Sequence, residues 1–130
     1  MTKPKFSFDP EKHEYRLDGR LLPSVTEVLR EVGFINPAWY TESARSRGKA
    51  VHAACHYLDE GKLDWGTLHS ELHGYVRSWD AFKSHLGLKI LDMETPRYHP
   101  LYLFAGTLDR RAKMTLTNGG EWILDLKTGP

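Results

Sequence analysis

The start of the chain alternates apolar and polar residues and is interrupted by turn signals. The apolar members of this alternation are Phe6, Phe8, Tyr15 and Leu17, and the turn signals are Asp9-Pro10 and Asp18-Gly19. Alternation with a period of two, bounded by such dipeptides, is typical of short strands joined by turns. The segment from Phe6 to Leu22 therefore predicts a small antiparallel meander.

The next segment has helical periodicity. Ser24-Val25-Thr26-Glu27 has the form of a capping box, and Gly33 is a C-terminal stop. Between them, apolar residues recur at Val25, Val28, Leu29 and Val32. This spacing predicts a short helix whose apolar stripe packs into the core.

Two longer helices follow. Asn36-Pro37 is a helix start, and the helical pattern continues to Gly61. A second pattern runs from about residue 67 to 86 and stops near Gly87. The expected buried residues of the first helix are Ala44, Gly48, Val51, Cys55 and Leu58, and those of the second are Leu68, Leu72, Tyr75 or Val76, Trp79 and Phe82.

The last third of the chain changes to a strand pattern. Strands are predicted near 88–94, 101–114 and 121–128, with an apolar run at Leu101–Phe104 opening the second. Asn118-Gly119 favours a hairpin between the last two, because both residues tolerate the positive φ of a type I′ turn. The predicted fold is a single α/β domain over residues 1–130, with a mainly antiparallel sheet packed on the two longer helices and preceded by an N-terminal hairpin or meander.

Composition narrows the function classes. The 18 basic residues nearly balance 17 acidic ones, so affinity for nucleic acid must come from a local patch such as Arg45, Arg47 and Lys49. A single cysteine, Cys55, excludes a disulfide framework and a four-cysteine metal site within one chain. No apolar run approaches the ~20 residues that span a bilayer, and no signal segment follows the start. We expect a cytoplasmic protein that does not contact a membrane.

The residues best suited to metal binding or catalysis lie in the predicted hairpin. Asp125 and Lys127 share one face of their strand, and pairing across the turn can bring Asp109 beside them. Two adjacent carboxylates repel each other unless a cation lies between them, and such oxygen ligands suit Mg²⁺ or Mn²⁺. Lys127 could then orient water or stabilise charge on a phosphate. The alternative interpretation is a hairpin of solvated charges.

These residues form a recognisable motif. Gly106-x-x-Asp109-Arg110 followed by Asp125-x-Lys127-Thr128-Gly129 resembles the signature of the PD-(D/E)xK nuclease superfamily, in its RecB-type and phage exonuclease branch. Leu108 replaces the proline of that name. Upstream, Gly48-x-x-x-His52 is similar to the helix that supplies a histidine ligand in RecB-type nucleases. The resemblance implies a restriction-endonuclease-like core.

The resemblance also implies a function. It predicts a metal-dependent deoxyribonuclease, expected to be an exonuclease, that hydrolyses DNA in recombination, repair or phage replication. The implied metal ligands for Mg²⁺ or Mn²⁺ are Asp109, Asp125, the main-chain carbonyl of Leu126, His52 and Glu94. Lys127 is the implied third catalytic residue beside the two aspartates. The expected nucleic-acid contacts are Arg45, Arg47, Lys49 and Arg110.

One departure from the family pattern affects the expected assembly. Similar nucleases continue past Lys-Thr-Gly into a helix and a further strand, which would leave the Asp125 strand without a neighbour. We therefore expect either a truncated fragment or a homo-oligomer in which another copy covers that sheet edge. Two other functions are possible from the sequence: a catalytically inactive nuclease-fold module that binds DNA or regulates, and a structural or partner-binding α/β domain.

Overall fold

The computed structural model describes residues 2–36 and 41–128 and confirms the mixed α/β class. Its elements, in chain order, are β1 (Phe6–Asp9), β2 (Glu14–Leu17), β3 (Arg20–Leu22), α1 (Val25–Glu31), α2 (Glu42–Asp59), α3 (His73–Leu86), β4 (Leu88–Tyr98), β5 (Ala105–Met114) and β6 (Glu121–Leu124), with single 3₁₀ turns at Ser70–Leu72 and Thr115–Thr117. The chain divides into two compact units: Met1–Trp39 with Glu94–Leu108, and Tyr40–Met93 with Asp109–Pro130.

The first unit contains the predicted meander. Strands β1, β2 and β3 pair antiparallel in chain order, with Phe6 opposite Leu17 and Tyr15 opposite Leu22. Tyr15 is only 2% exposed. Its ring stacks on Phe8 with centroids 4.6 Å apart, and its hydroxyl lies 2.7 Å from the Thr107 hydroxyl. The N-terminal meander is thus confirmed, with Tyr15 at its centre.

Helix α1 has the predicted cap but not the predicted burial. The Ser24 hydroxyl accepts a hydrogen bond of 3.1 Å from the Glu27 N–H, and Gly33 follows the helix with φ of +83°. None of its residues is buried, however, and the apolar stripe is 36% to 61% exposed. The prediction that this stripe belongs to the core is wrong, because periodicity specifies an apolar face without specifying what covers it.

The second unit is built around α2 and α3. Helix α2 is capped by Thr41, whose hydroxyl accepts from the Ala44 N–H at 3.2 Å; the predicted start at Pro37 lies outside the described residues. The buried residues are Val51, Ala54, Cys55, Val76 and Trp79. Leu88, Ile90 and Leu124 of the strands, and Leu126 just after β6, pack against them. Packing of the sheet on the two longer helices is confirmed, whereas Phe82 of α3, predicted as buried, is 43% exposed.

The second sheet has the order β4-β5-β6, with Arg110 opposite Leu124 in the antiparallel β5–β6 pair. Asn118 and Gly119 have the expected positive φ, +58° and +73°, within a connection over residues 115–120 that is longer than a two-residue turn. No described helix is sufficiently long and apolar to cross a bilayer.

The apolar run before β5 is not a strand. Residues 101–104 form a turn and Leu101 and Tyr102 are each 72% exposed, so the predicted strand at Leu101–Phe104 is wrong. The physical reason is His99. Its ring nitrogen Nδ1 accepts hydrogen bonds from the Leu101 and Tyr102 N–H groups at 3.2 and 3.1 Å, which turns the backbone away from strand pairing.

The burial of Cys55 gives a testable prediction. This thiol is 1% exposed, and burial raises its pKa from 9.0 to about 11. At pH 8 a disulfide reagent should therefore react with native protein roughly 10²-fold more slowly than with unfolded chain, because the thiolate is the reactive form. Equal rates in both states would contradict the buried position.

The same thiol sets the sign of a pH dependence. The unfolded chain loses the Cys55 proton first, so the free energy of unfolding should fall as the pH rises from about 9 to about 11, by about 2 kcal/mol. Denaturant unfolding at both pH values measures it. Cys55→Ala is the control, because the difference between it and the wild type removes the contribution of tyrosines and lysines.

Candidate functional site

The hairpin of β5 and β6 brings two carboxyl groups together. Asp109 lies in β5 next to Arg110, and Asp125 directly follows Leu124, the residue opposite Arg110. The register therefore places Asp125 beside Asp109, close enough for each carboxyl group to shift the pKa of the other. The convergence expected from the sequence is present in the structure.

The two carboxyl groups have unequal surroundings. The Asp109 side chain is 17% exposed, and its Oδ2 accepts a hydrogen bond of 2.8 Å from the Leu126 N–H. Burial, followed by the hydrogen bond with Asp125, raises the pKa of Asp109. Burial also acts to raise the pKa of Asp125, but hydrogen bonds from Asp109 and Lys127 outweigh it and lower that pKa. The two carboxyl groups are therefore inequivalent: the pKa of Asp109 is raised, whereas that of Asp125 is lowered.

His52 joins this pair from α2. Its Nε2 lies 2.8 Å from the Leu126 carbonyl oxygen, and its Nδ1 lies 3.8 Å from Oδ2 of Asp109. If Nε2 carries the proton and donates to Leu126, the lone pair of Nδ1 is left on the side of Asp109. At Gly48, one turn earlier, an added Cβ would lie 3.9 Å from the Thr128 hydroxyl, an ordinary contact.

Lys127 lies at the open side of the site. Its side chain is 79% exposed, and its ammonium is 2.8 Å from Oδ2 of Asp125, which is itself 60% exposed. An ammonium offers donors and no acceptor, so Lys127 cannot be a ligand in this state. It is positioned to act on a group that approaches Asp125 from solvent.

The remaining predicted residues lie in different places. Glu94 is exposed on β4, with a left-handed φ of +47°, and belongs to the first unit, so its ligand role stays a prediction. Arg45 and Lys49 are exposed on α2. The guanidinium of Arg47 lies 5.9 Å from the centre of the Tyr75 ring. The nucleic-acid roles of these three cations also stay predictions.

Arg110 is not at the surface. Its side chain is 0% exposed and pairs through Nε with the equally buried carboxylate of Asp59 at 2.8 Å. The prediction that Arg110 contacts nucleic acid is therefore wrong: it followed from the residue's place in the motif, whereas β5 directs this side chain into the core.

Asp59 was not identified from the sequence as part of the site. Its spacing of seven residues from His52 on α2, two helical turns, was the available signal.

The donor set fits a hard divalent cation. Among residues 2–36 and 41–128, no three His, Cys, Asp or Glu side chains are already arranged as a metal-binding group. The neighbouring carboxyl groups of Asp109 and Asp125, however, lie beside Leu126 and the His52 imidazole. Oxygen donors of this kind suit Mg²⁺ and Mn²⁺, and a cation between the two acids would offset their repulsion.

Comparisons with models of protein families, with curated proteins and with solved structures gave no match. The resemblance to the nuclease superfamily therefore rests on the motif residues alone.

The acid pair should cost the metal-free protein stability. Asp109→Asn keeps an acceptor for the Leu126 N–H but removes the charge beside Asp125, so at pH 8 in EDTA it should raise the free energy of unfolding by roughly 0.5 kcal/mol. Asp92→Asn is the matched control. Asp92 pairs with Arg111 at 2.7 Å, so the same change there should lower stability. A loss of stability in Asp109→Asn would show that the pair is not under repulsion.

Proposed function

We propose that this chain carries the catalytic site of a metal-dependent deoxyribonuclease of the PD-(D/E)xK type, in the RecB-like branch. The observation that carries the proposal is the adjacency of two carboxyl groups, a largely buried one of Asp109 and an exposed one of Asp125, beside Leu126 and His52. Like-charged groups held together in this way are typical of functional sites, because a merely structural hairpin gains nothing from them.

Each residue of the proposed site has a distinct task. Asp109, Asp125, the Leu126 carbonyl and His52, all in the second unit, would hold Mg²⁺ or Mn²⁺. The bound cation supplies Lewis-acid polarisation of a phosphate and a more acidic water. The Leu126 N–H keeps Asp109 oriented through its 2.8 Å hydrogen bond. Lys127, already 2.8 Å from Asp125, would orient the attacking water or stabilise charge on the phosphate.

DNA is the proposed substrate. Arg45 and Lys49 expose cationic groups on α2, the helix that also carries His52, and these could contact backbone phosphates. Arg47 is the third proposed contact from this helix. We further propose that the second unit corresponds to a restriction-endonuclease-like core, since α2 and α3 back the sheet that holds both aspartates. Exonuclease action in recombination, repair or phage replication follows from the motif resemblance.

A catalytically inactive DNA-binding or regulatory module is the second candidate. The observation that favours it is the position of Asp125, which is 60% exposed and paired with Lys127. A site that never holds a cation could keep this ion pair permanently. The two candidates differ in whether the protein cleaves DNA in the presence of a divalent cation.

Lys127 distinguishes catalysis from metal binding. We expect Lys127→Ala to change Mn²⁺ affinity no more than a few-fold but to lower DNA cleavage by roughly 10²-fold or more, because it removes a positioned acid–base or electrostatic group and no ligand. Asp125→Ala should lose both activities. The measurements are calorimetry with Mn²⁺ and single-turnover cleavage at saturating metal.

Lys113→Ala, a change of the same type on β5, is the control for the loss of one positive charge. Near wild-type cleavage by Lys127→Ala would refute the proposed role of the Asp-x-Lys motif. Metal binding without any cleavage by the wild type would favour the inactive module. A wild type that binds no Mn²⁺ would remove the proposed nuclease and leave the inactive module, whose site need never hold a cation.

A second copy of the chain is the proposed partner at the sheet edge. Strand β6 ends the order β4-β5-β6, and Trp122 and Ile123 on it are 47% and 66% exposed. An edge strand with exposed apolar residues is prone to pair with another chain. The edge therefore supports the expected homo-oligomer.

Ile123→Lys should weaken this association, since a lysine on an edge strand opposes pairing between sheets. Size-exclusion chromatography with light scattering, across a range of protein concentrations, measures the effect. Leu116→Lys is the matched control, because Leu116 is 67% exposed but lies outside β6. A wild type that remains monomeric at every concentration would contradict the proposed oligomer.

A further inference from the structure

A buried charged cluster lies beneath the candidate site. It consists of Asp59, Trp79, Lys83 and Arg110. The Asp59 carboxylate, 0% exposed, accepts hydrogen bonds from Nε1 of Trp79 at 3.0 Å, from the Lys83 ammonium and from Nε of Arg110 at 2.8 Å. The cluster therefore ties the end of α2 to α3 and to β5.

Arg110 connects this cluster to the main chain of Asp109. While Nε is held by Asp59, Nη1 donates a hydrogen bond of 2.7 Å to the Asp109 carbonyl oxygen. The guanidinium also lies 5.7 Å from the centre of the Trp79 ring. Successive side chains of a strand point to opposite faces, so fixing Arg110 on the core side fixes Asp109 on the other.

Helix α2 contacts the hairpin at two points. His52 binds the Leu126 carbonyl that follows β6, and Asp59 binds Arg110 of β5. These two residues are seven positions apart, which corresponds to about 10 Å along a helix. One rigid element thus contacts the segment of each aspartate, and it can set their separation.

Stability alone does not explain the cluster. Burying an ion pair costs desolvation, and apolar residues of similar size often serve the fold equally well. A fork of donors that joins a carboxylate to a carbonyl does, however, supply an orientation that apolar packing lacks. We propose that Asp59 and Arg110 are positioning residues, which hold Asp109 at the distance from Asp125 and Leu126 that a divalent cation requires. This inference rests on the proposed function of the site.

The test compares two changes within the same cluster. Arg110→Lys keeps the charge beside Asp59 but cannot bridge Asp59 and the Asp109 carbonyl as the planar fork does. Lys83→Met is the matched control, because Lys83 binds Asp59 from α3, whereas Arg110 binds both Asp59 and the Asp109 carbonyl. Thermal melting verifies that both variants are folded.

Two readouts separate positioning from stability. In metal-free protein, the Leu126 amide should lose its low-field shift and its exchange protection in Arg110→Lys and keep both in Lys83→Met, because that N–H reports the position of Asp109. Mn²⁺ affinity of the folded protein should fall by roughly 10-fold or more in Arg110→Lys and change by less than about threefold in Lys83→Met.

An unchanged Leu126 amide together with unchanged Mn²⁺ affinity in folded Arg110→Lys would overturn the inference. If the wild type binds no Mn²⁺, the proposed function fails, while the amide comparison still decides whether Arg110 positions Asp109. If Arg110→Lys does not fold, the double change of Asp59→Asn with Arg110→Gln removes both buried charges and is measured in the same way.

Discussion

The hydrogen bond between the Leu126 N–H and the Asp109 carboxylate is the contact on which the candidate site depends. It joins the segment after β6 to β5 just beyond the last paired residues, Arg110 and Leu124. Because it turns the Leu126 peptide toward Asp109, it also leaves the Leu126 carbonyl to His52. The N–H and the carbonyl of a single residue, Leu126, thereby link β5, the segment after β6 and helix α2.

The local part of the site was predictable from the sequence. The positive φ of Asn118 and Gly119 and the alternation of Asp125 with Lys127 depend on neighbouring residues, and they suffice to bring Asp109 and Asp125 together. Caps are equally local, which is why the Ser24 cap of α1 was found.

What could not be predicted depends on distant residues. From its neighbours in the sequence, Arg110 is expected to be an exposed cation. It is buried because it pairs with Asp59, which lies 51 positions earlier in the chain. The stripe of α1 has the spacing of a core face, but burial requires a second surface, which the described part of the chain does not place over it. The residue types at Leu101 and Tyr102 favour a strand. The His99 imidazole nevertheless accepts hydrogen bonds from both of their N–H groups and holds this backbone in a turn.

Two interactions act in opposite directions on the position of Asp109. Asp109 is placed where repulsion from Asp125 favours separation, yet it lies in a strand whose next residue is held in the core by an ion pair with 0% exposure on both sides. Breaking a buried pair of this kind costs about 3 to 5 kcal/mol, more than the roughly 1 kcal/mol by which two opposed like charges destabilise a sheet. The stronger interaction therefore decides the geometry. The strain falls on the carboxyl pair, which a proton or a cation can relieve.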